Sequence, residues 1–157
     1  MHEMSPLINP GDAVLDLGCA PGSWCQVAEE LVGPKGIVVG VDRVYVPPLT
    51  LTRFIVGDAT LPSIQKSIRE QLIEKEYFDV VLSDMCPNLI GIKSADHQAS
   101  LNIVNEALKI AHGMLKENGT LLVKIVKPPA SKKESAEIYI RAEKFHPLNR
   151  KYPLSLI

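Results

Sequence analysis

Residues Asp16 to Trp24 read Asp-Leu-Gly-Cys-Ala-Pro-Gly-Ser-Trp and follow directly on the apolar run Ala13-Val14-Leu15. The stretch reads as a strand that enters a turn with two glycines, after which a helix begins at once with Cys25-Gln26-Val27-Ala28-Glu29-Glu30-Leu31. Few folds accommodate that order. Gly18 and Gly22 carry no Cβ, so the backbone can approach a ligand closely. Pro21 stiffens the turn, and the unpaired N–H groups of the first helical turn face the same space. In an open α/β sheet, a nucleotide-like ligand sits at such a turn. The spacing Gly-x-x-x-Gly differs from the Gly-x-Gly-x-x-Gly of dinucleotide binders, and there is no Gly-Lys-Ser/Thr of a phosphate-binding loop. A ligand with adenosine but no phosphates, such as S-adenosylmethionine, fits better.

Three further apolar runs each end in a carboxylate. Ile37-Val38-Val39-Gly40-Val41 leads to Asp42, Phe54-Ile55-Val56-Gly57 to Asp58, and Phe78-Asp79-Val80-Val81-Leu82-Ser83 to Asp84. Asp42 follows Gly22 by about 20 residues, the distance at which an acid accepts hydrogen bonds from ribose hydroxyls in such sheets. Asp58 could reach the adenine amino group. A lone aspartate at a strand end is more often a helix cap or a turn residue. Four ordered matches, counting the glycine turn, argue for one ligand-binding edge.

At 157 residues the chain has room for one domain with a real core, and 46% hydrophobic with 22% charged residues is ordinary for a globule. No apolar run approaches the length of a membrane span. The opening Met1-His2-Glu3-Met4-Ser5-Pro6 reads as neither a signal peptide nor a transit peptide. Cys19, Cys25 and Cys86 lack metal-ligand spacing and are odd in number, so neither a metal site nor a disulfide framework is expected, and a reducing compartment is the default. Charge is uneven: residues 1–115 hold 8 basic and 14 acidic residues, residues 116–157 hold 9 and 4. The basic C-terminal quarter reads as a face for a polyanion or as an ordinary solvated tail.

Periodicity predicts strands at 13–18, 37–42, 53–57, 78–83, 120–126 and 136–142, and helices at 23–32, 61–75 and 95–116. Thr60 is the expected N-cap of the second helix, and Gly119 the breaker of the third. Leu101, Val104, Leu108, Ala111 and Leu115 are the expected core stripe of the long helix. Alternating strands and helices indicate an α/β fold with a doubly wound, mostly parallel sheet of the Rossmann-like type.

Lys124 interrupts a run that is otherwise core. A lysine is rarely buried without a partner, and burial lowers its pKa toward that of a usable base; the alternative is an edge lysine facing solvent. Asp84 and Glu137 are the other polar residues set in or at the ends of apolar strands.

The stretches 16–24, Leu-Ser-Asp-Met-Cys-Pro-Asn (82–88), Val-Lys-Ile (123–125) and Lys-Pro-Pro-Ala-Ser-Lys-Lys-Glu-Ser-Ala-Glu-Ile-Tyr (127–139) resemble the FtsJ/RrmJ family of ribose 2′-O-methyltransferases, nearly end to end and in order. The segment from Lys127 is closest to the branch acting on large-subunit ribosomal RNA. The resemblance implies the S-adenosylmethionine-dependent methyltransferase form of the fold. It implies cofactor contacts from Gly22, Trp24, Asp42, Asp58 and Asp84, with Gly18 in the same turn, and no metal. It also implies a Lys-Asp-Lys-Glu tetrad around a target ribose, most simply a uridine, with Asp84, Lys124 and Glu137 on the last three positions. Met85 to Asn88 would wall the cofactor from the substrate.

The tetrad's first lysine lies upstream of the glycine turn in the family, and a helix and a strand separate the positions of Lys124 and Glu137. The expectation is therefore a single domain, 1–157, truncated at its N-terminus and shortened between 125 and 136. The expected partner is RNA, as large-subunit rRNA or a ribosomal subunit, with no membrane. The protein is expected to be a monomer in the cytoplasm, nucleus or mitochondrion. The alternative is an RNA-binding or ribosome-assembly protein that keeps the cofactor fold without turnover.

Overall fold

The computed structural model describes residues 6–126, 137–143 and 146. Its elements are β1 (Ala13–Leu17), α1 (Ser23–Val32), β2 (Ile37–Asp42), β3 (Thr52–Val56), α2 (Pro62–Glu70), β4 (Phe78–Ser83), α3 (Lys93–Met114), β5 (Leu115–Val126) and β6 (Glu137–Ala142). The strands form one sheet in the order β3-β2-β1-β4-β5-β6, parallel except for β6, which runs antiparallel to β5. The fold is the α/β, doubly wound, mostly parallel sheet that the alternation indicates.

Side-chain alternation splits the sheet into two faces. Val14, Val38, Val80 and Leu82 meet Cys25, Ala28 and Val32 of α1. Leu15, Val39, Val81, Leu121 and Val123 meet Ile68 of α2 and Ala107, Ile110, Ala111 and Met114 of α3. The chain order reverses beside β1, whose neighbours are β2 and β4. At such a point the crossovers diverge to opposite faces and leave a crevice at the C-terminal ends of the strands. At the other end, Asp79 ties β4 to β1 and β5, accepting from the Ala13 N–H at 2.7 Å and from Lys116 Nζ at 2.5 Å.

Several boundaries differ from the sequence expectation. Helix α2 stops at Glu70; the Gln71 carbonyl then accepts from Arg53 Nη1 at 2.6 Å, which turns the chain toward β4. The N-cap of α2 is Leu61, and Thr60 instead donates its hydroxyl to Asp58 Oδ1 at 2.7 Å. Gly119 does not break the long helix, because α3 already ends at Met114 and β5 follows without a gap. A Cβ on Gly119 would lie 2.9 Å from the Asp79 carbonyl, so glycine is needed there to let β5 pass β4. Of the expected core stripe, Ala111 and Leu115 are buried and Val104 and Leu108 pack against the core, whereas Leu101 is 44% exposed; Ala107, Ile110 and Met114 complete the buried face. In the N-terminal half of α3 the buried residues are Asp96 and Ser100.

The basic pair Lys132 and Lys133 lies outside the described residues. Among the described residues, no helix is long and apolar enough to cross a membrane.

The packing of α3 gives a direct test. Ile110→Ala should cost about 2–5 kcal/mol, as for a buried aliphatic side chain, and Leu101→Ala under about 1 kcal/mol. Urea unfolding of the two variants beside the parent measures both.

Candidate active site

The end of β1 is bound on both sides. Gly18 N–H and Cys19 N–H donate to the Val41 carbonyl of β2 at 2.8 and 3.2 Å, and Asp84 N–H donates to the Leu17 carbonyl at 2.9 Å. Gly18 has φ +73°, and a Cβ there would lie 2.8 Å from the backbone of Met85. Gly22, with φ +109°, is the N-cap of α1, and its N–H closes the turn on the Cys19 carbonyl at 2.7 Å. A side chain at either glycine would be strained.

Two clefts open along this edge. The larger, about 290 Å³, is lined by Gly18, Asp42, Asp58, Asp84, Met85 and Cys86 among others. The smaller, about 170 Å³, is lined by Asp16, Cys19, Pro21, Trp24 and Asp84 among others. Gly18, Ala20 and Asp84 belong to both, so the two form one path with Asp84 at the join.

Both oxygens of Asp42 are engaged, Oδ2 by the Ala20 N–H at 2.9 Å and Oδ1 by the Val44 N–H at 3.1 Å. Asp58 accepts from the Thr60 N–H and hydroxyl and pairs with Arg43 at 2.7 Å. The Thr60 hydroxyl first, then its N–H and Arg43, hold the Asp58 carboxyl below the usual carboxylate range. The lining thus offers two oriented carboxylates to a ligand rich in hydrogen-bond donors.

Asp84, Lys124 and Glu137 come together beside this path. Lys124 Nζ lies 2.6 Å from Asp84 Oδ1 and 3.7 Å from Glu137 Oε1. Glu137 Oε2 accepts from the Tyr139 hydroxyl at 3.0 Å, and the Tyr139 ring meets Trp24 with centroids 6.3 Å apart. The antiparallel pairing of β6 with β5 builds this cluster: Lys124 pairs with Tyr139 and Val126 with Glu137. A parallel crossover would need a longer connection than the sequence provides.

The expectation of a lysine with a lowered pKa is corrected here. The hydrogen bond to Asp84 raises the Lys124 pKa, and the opposing effect of burial is smaller. Lys124 is an ammonium held between two carboxylates.

Sequence reasoning passed over Asp16, Arg43 and Tyr139. Asp16 is fully buried in the central strand; Oδ2 accepts from the Cys25 thiol at 3.2 Å, and Oδ1 has no hydrogen-bond partner among the described residues. Burial pushes its pKa up to about 7, against the opposing Cys25 hydrogen bond. A carboxyl in a run such as Ala-Val-Leu-Asp-Leu was the available signal. An orphaned acceptor beside a cleft fits a ligand that brings its own donor or positive charge, as the methionine part of S-adenosylmethionine does.

The Asp16 carboxyl also makes stability depend on pH. Its folded-state pKa is raised above the ordinary 3.8, so the folded protein binds the proton more tightly than the unfolded chain. The Asp16 contribution to stability is therefore full below about pH 3.8 and declines as pH rises toward about 7. Asp16→Asn should remove this decline, and should be relatively more stable at pH 8 than at pH 5 in paired urea unfolding curves.

A sequence model of the FtsJ-like methyltransferase family matches residues 1–127. A relative from Methanocaldococcus jannaschii named ribosomal RNA large subunit methyltransferase E is 41% identical over 92% of this chain and 69% of its own length. One of the same name from Coxiella burnetii is 36% identical over 96% of this chain and 83% of its own. A crystal structure from Plasmodium falciparum, described as a ribosomal RNA methyltransferase, superposes with a TM-score of 0.76 at 26% identity, covering 87% of this chain and 88% of that one. A chain of a fibrillarin/Nop5p complex shares the fold, with a TM-score of 0.57 at 16% identity over 86% of this chain and 73% of that one. By the extent of the family match and the identity of these relatives, the chain belongs to the FtsJ-like methyltransferase family.

Proposed function

We propose that this chain methylates the 2′-hydroxyl of a ribose in RNA, with S-adenosylmethionine as methyl donor and large-subunit ribosomal RNA as substrate. The observation that carries the reading is the Lys124 ammonium between Asp84 and Glu137, next to a cleft that Asp84 also lines. Family membership supplies the reaction class, and the names of the relatives point to the RNA.

In this reading Asp42 holds the ribose hydroxyls of the cofactor and Asp58 its adenine end. Gly18 and Gly22 let the nucleoside lie against the backbone, and Trp24 with Asp16 and Asp84 surrounds the methionine part. S-adenosylmethionine, when bound, supplies a methyl group already activated by a cationic sulfur. The protein's task is then placement and charge. Lys124 holds the 2′-oxygen of the incoming ribose and stabilises the negative charge that develops there. Asp84 keeps Lys124 in place and protonated. Glu137, half exposed, takes the hydroxyl proton out to water. Tyr139 orients Glu137 through its hydrogen bond.

Lys124→Ala should lower kcat for ribose methylation by about 10²-fold or more, with cofactor affinity nearly unchanged. Lys124→Arg keeps the charge without the compact ammonium and should retain more activity than Lys124→Ala. Single-turnover transfer of labelled methyl groups to an rRNA fragment, with calorimetry for the cofactor, reads both. Loss of cofactor binding together with activity in Lys124→Ala would remove this residue from the chemistry.

The excess of basic residues after residue 115 suggests phosphate contacts by Lys132 and Lys133. Replacing both with alanine should reduce the slope of log affinity against log salt by about 1.4 on single-stranded RNA, at about 0.7 per phosphate contact. Filter binding across a salt series measures it. An unchanged slope removes the pair from RNA binding and leaves the catalytic proposal untouched.

A further inference from the structure

Arg43 follows Asp42 at the end of β2, and its guanidinium reaches the residues after β3, where Nη2 lies 2.7 Å from Asp58 Oδ2. The backbone on either side of it is pinned. The Asp42 carbonyl accepts from the Gly57 N–H at 2.8 Å, and Asp42 Oδ1 accepts from the Val44 N–H at 3.1 Å. Asp58 is pinned in turn, because the Thr60 N–H and hydroxyl both donate to its other oxygen. Holding an arginine side chain in one place costs rotamer freedom. Here Asp58 has fixed it before any ligand arrives, so a ligand that uses it meets a preorganised group. The pair contributes little to stability, since the Arg43 side chain is 71% exposed and that of Asp58 29%.

The guanidinium stands where a ligand would meet it. Arg43 lines the larger cleft beside Asp42 and Asp58, and among the described residues of that lining it is the one cation beside three carboxylates. Ile103 of α3 lines the same cleft. Asp42 and Asp58, when ionised, only accept hydrogen bonds. They suit the hydroxyls and the amino group at the edges of a nucleoside and leave the faces of its base to other partners. A guanidinium is planar and weakly hydrated, and it stacks on aromatic faces. An unpaired arginine would oppose a cofactor with a cationic sulfur. Paired to Asp58, Arg43 offers its plane with little net charge. A lysine here would make the ion pair without offering a plane.

We propose that Arg43 binds the base of the cofactor, its guanidinium held by Asp58 and stacked on one face of the adenine ring. This role rests on the reading of the cleft as the S-adenosylmethionine site and adds the residue that grips the ring. Arg43 lines the larger cleft and not the smaller one with Trp24, so it acts on cofactor affinity and not on methyl transfer.

Calorimetry with S-adenosylhomocysteine, which carries the same adenosine and is not consumed, tests the assignment. Arg43→Ala should weaken binding by about tenfold. Two further substitutions separate stacking from charge. Arg43→Gln keeps a planar group without the charge, and Arg43→Lys keeps the charge without the plane. Stacking predicts that Arg43→Gln binds more tightly than Arg43→Lys, with Arg43→Lys close to Arg43→Ala. A role confined to the ion pair predicts the reverse order. In steady-state methylation of an rRNA fragment, the loss in Arg43→Ala should fall on KM for S-adenosylmethionine and not on kcat. Circular dichroism checks that each variant folds; if Arg43→Ala does not, the order of Arg43→Gln and Arg43→Lys decides. Unchanged or tighter binding by Arg43→Ala overturns the assignment, and so does tighter binding by Arg43→Lys than by Arg43→Gln. Absence of binding by the parent itself overturns the cofactor reading and the role of Arg43 with it, whereas equal binding by parent and Arg43→Ala removes Arg43 alone.

Discussion

The contact on which the site depends is the approach of the end of β1 to the end of β4. Gly18 lies against the Met85 backbone with no room for a Cβ, and the Leu17 carbonyl accepts from the Asp84 N–H. That hydrogen bond sets where Asp84 leaves the sheet. Both clefts share Gly18 and Asp84, and Asp84 also holds Lys124. One close backbone contact therefore fixes the cofactor edge and the charged cluster in a single frame. The glycine is needed for steric reasons, because the chain's order reverses here and two parallel strands must part around whatever sits between them.

The charge state of Lys124 follows from competition between burial and its carboxylate neighbours. Burial favours the neutral amine, and a carboxylate at hydrogen-bond distance favours the ammonium. At 2.6 Å from Asp84 the second wins, with Glu137 adding to it. A group held in this state contributes by charge: it lowers the cost of forming an oxyanion beside it.

Asp16 shows the opposite balance. It lies in the fully buried central strand, with a thiol on one oxygen and, among the described residues, no partner on the other. A hydrophobic residue of similar size would pack there without the desolvation cost. Positions that break the local rule of an apolar core are expected where a ligand supplies the missing partner. The cleft that Asp16 lines gives that cost a functional reading.

Local pattern alone determined the strand–glycine turn–helix unit, the alternation that gives a doubly wound sheet, and the row of strand-end acids, because strand period and glycine chemistry are written in adjacent residues. The three catalytic candidates were also legible, as polar residues in apolar runs and through the family resemblance. Tertiary structure decided the rest. It turned Leu101 out of the expected core stripe of α3 and added Ala107, Ile110 and Met114 to it, since burial depends on where the sheet lies and not on the helix period alone. It set β6 antiparallel to β5, which brought Glu137 to Lys124. It set the protonation of Lys124 and Asp16, because a pKa is a sum over neighbours contributed by distant parts of the chain. Periodicity reports which residues share a face; only the folded chain reports what that face meets.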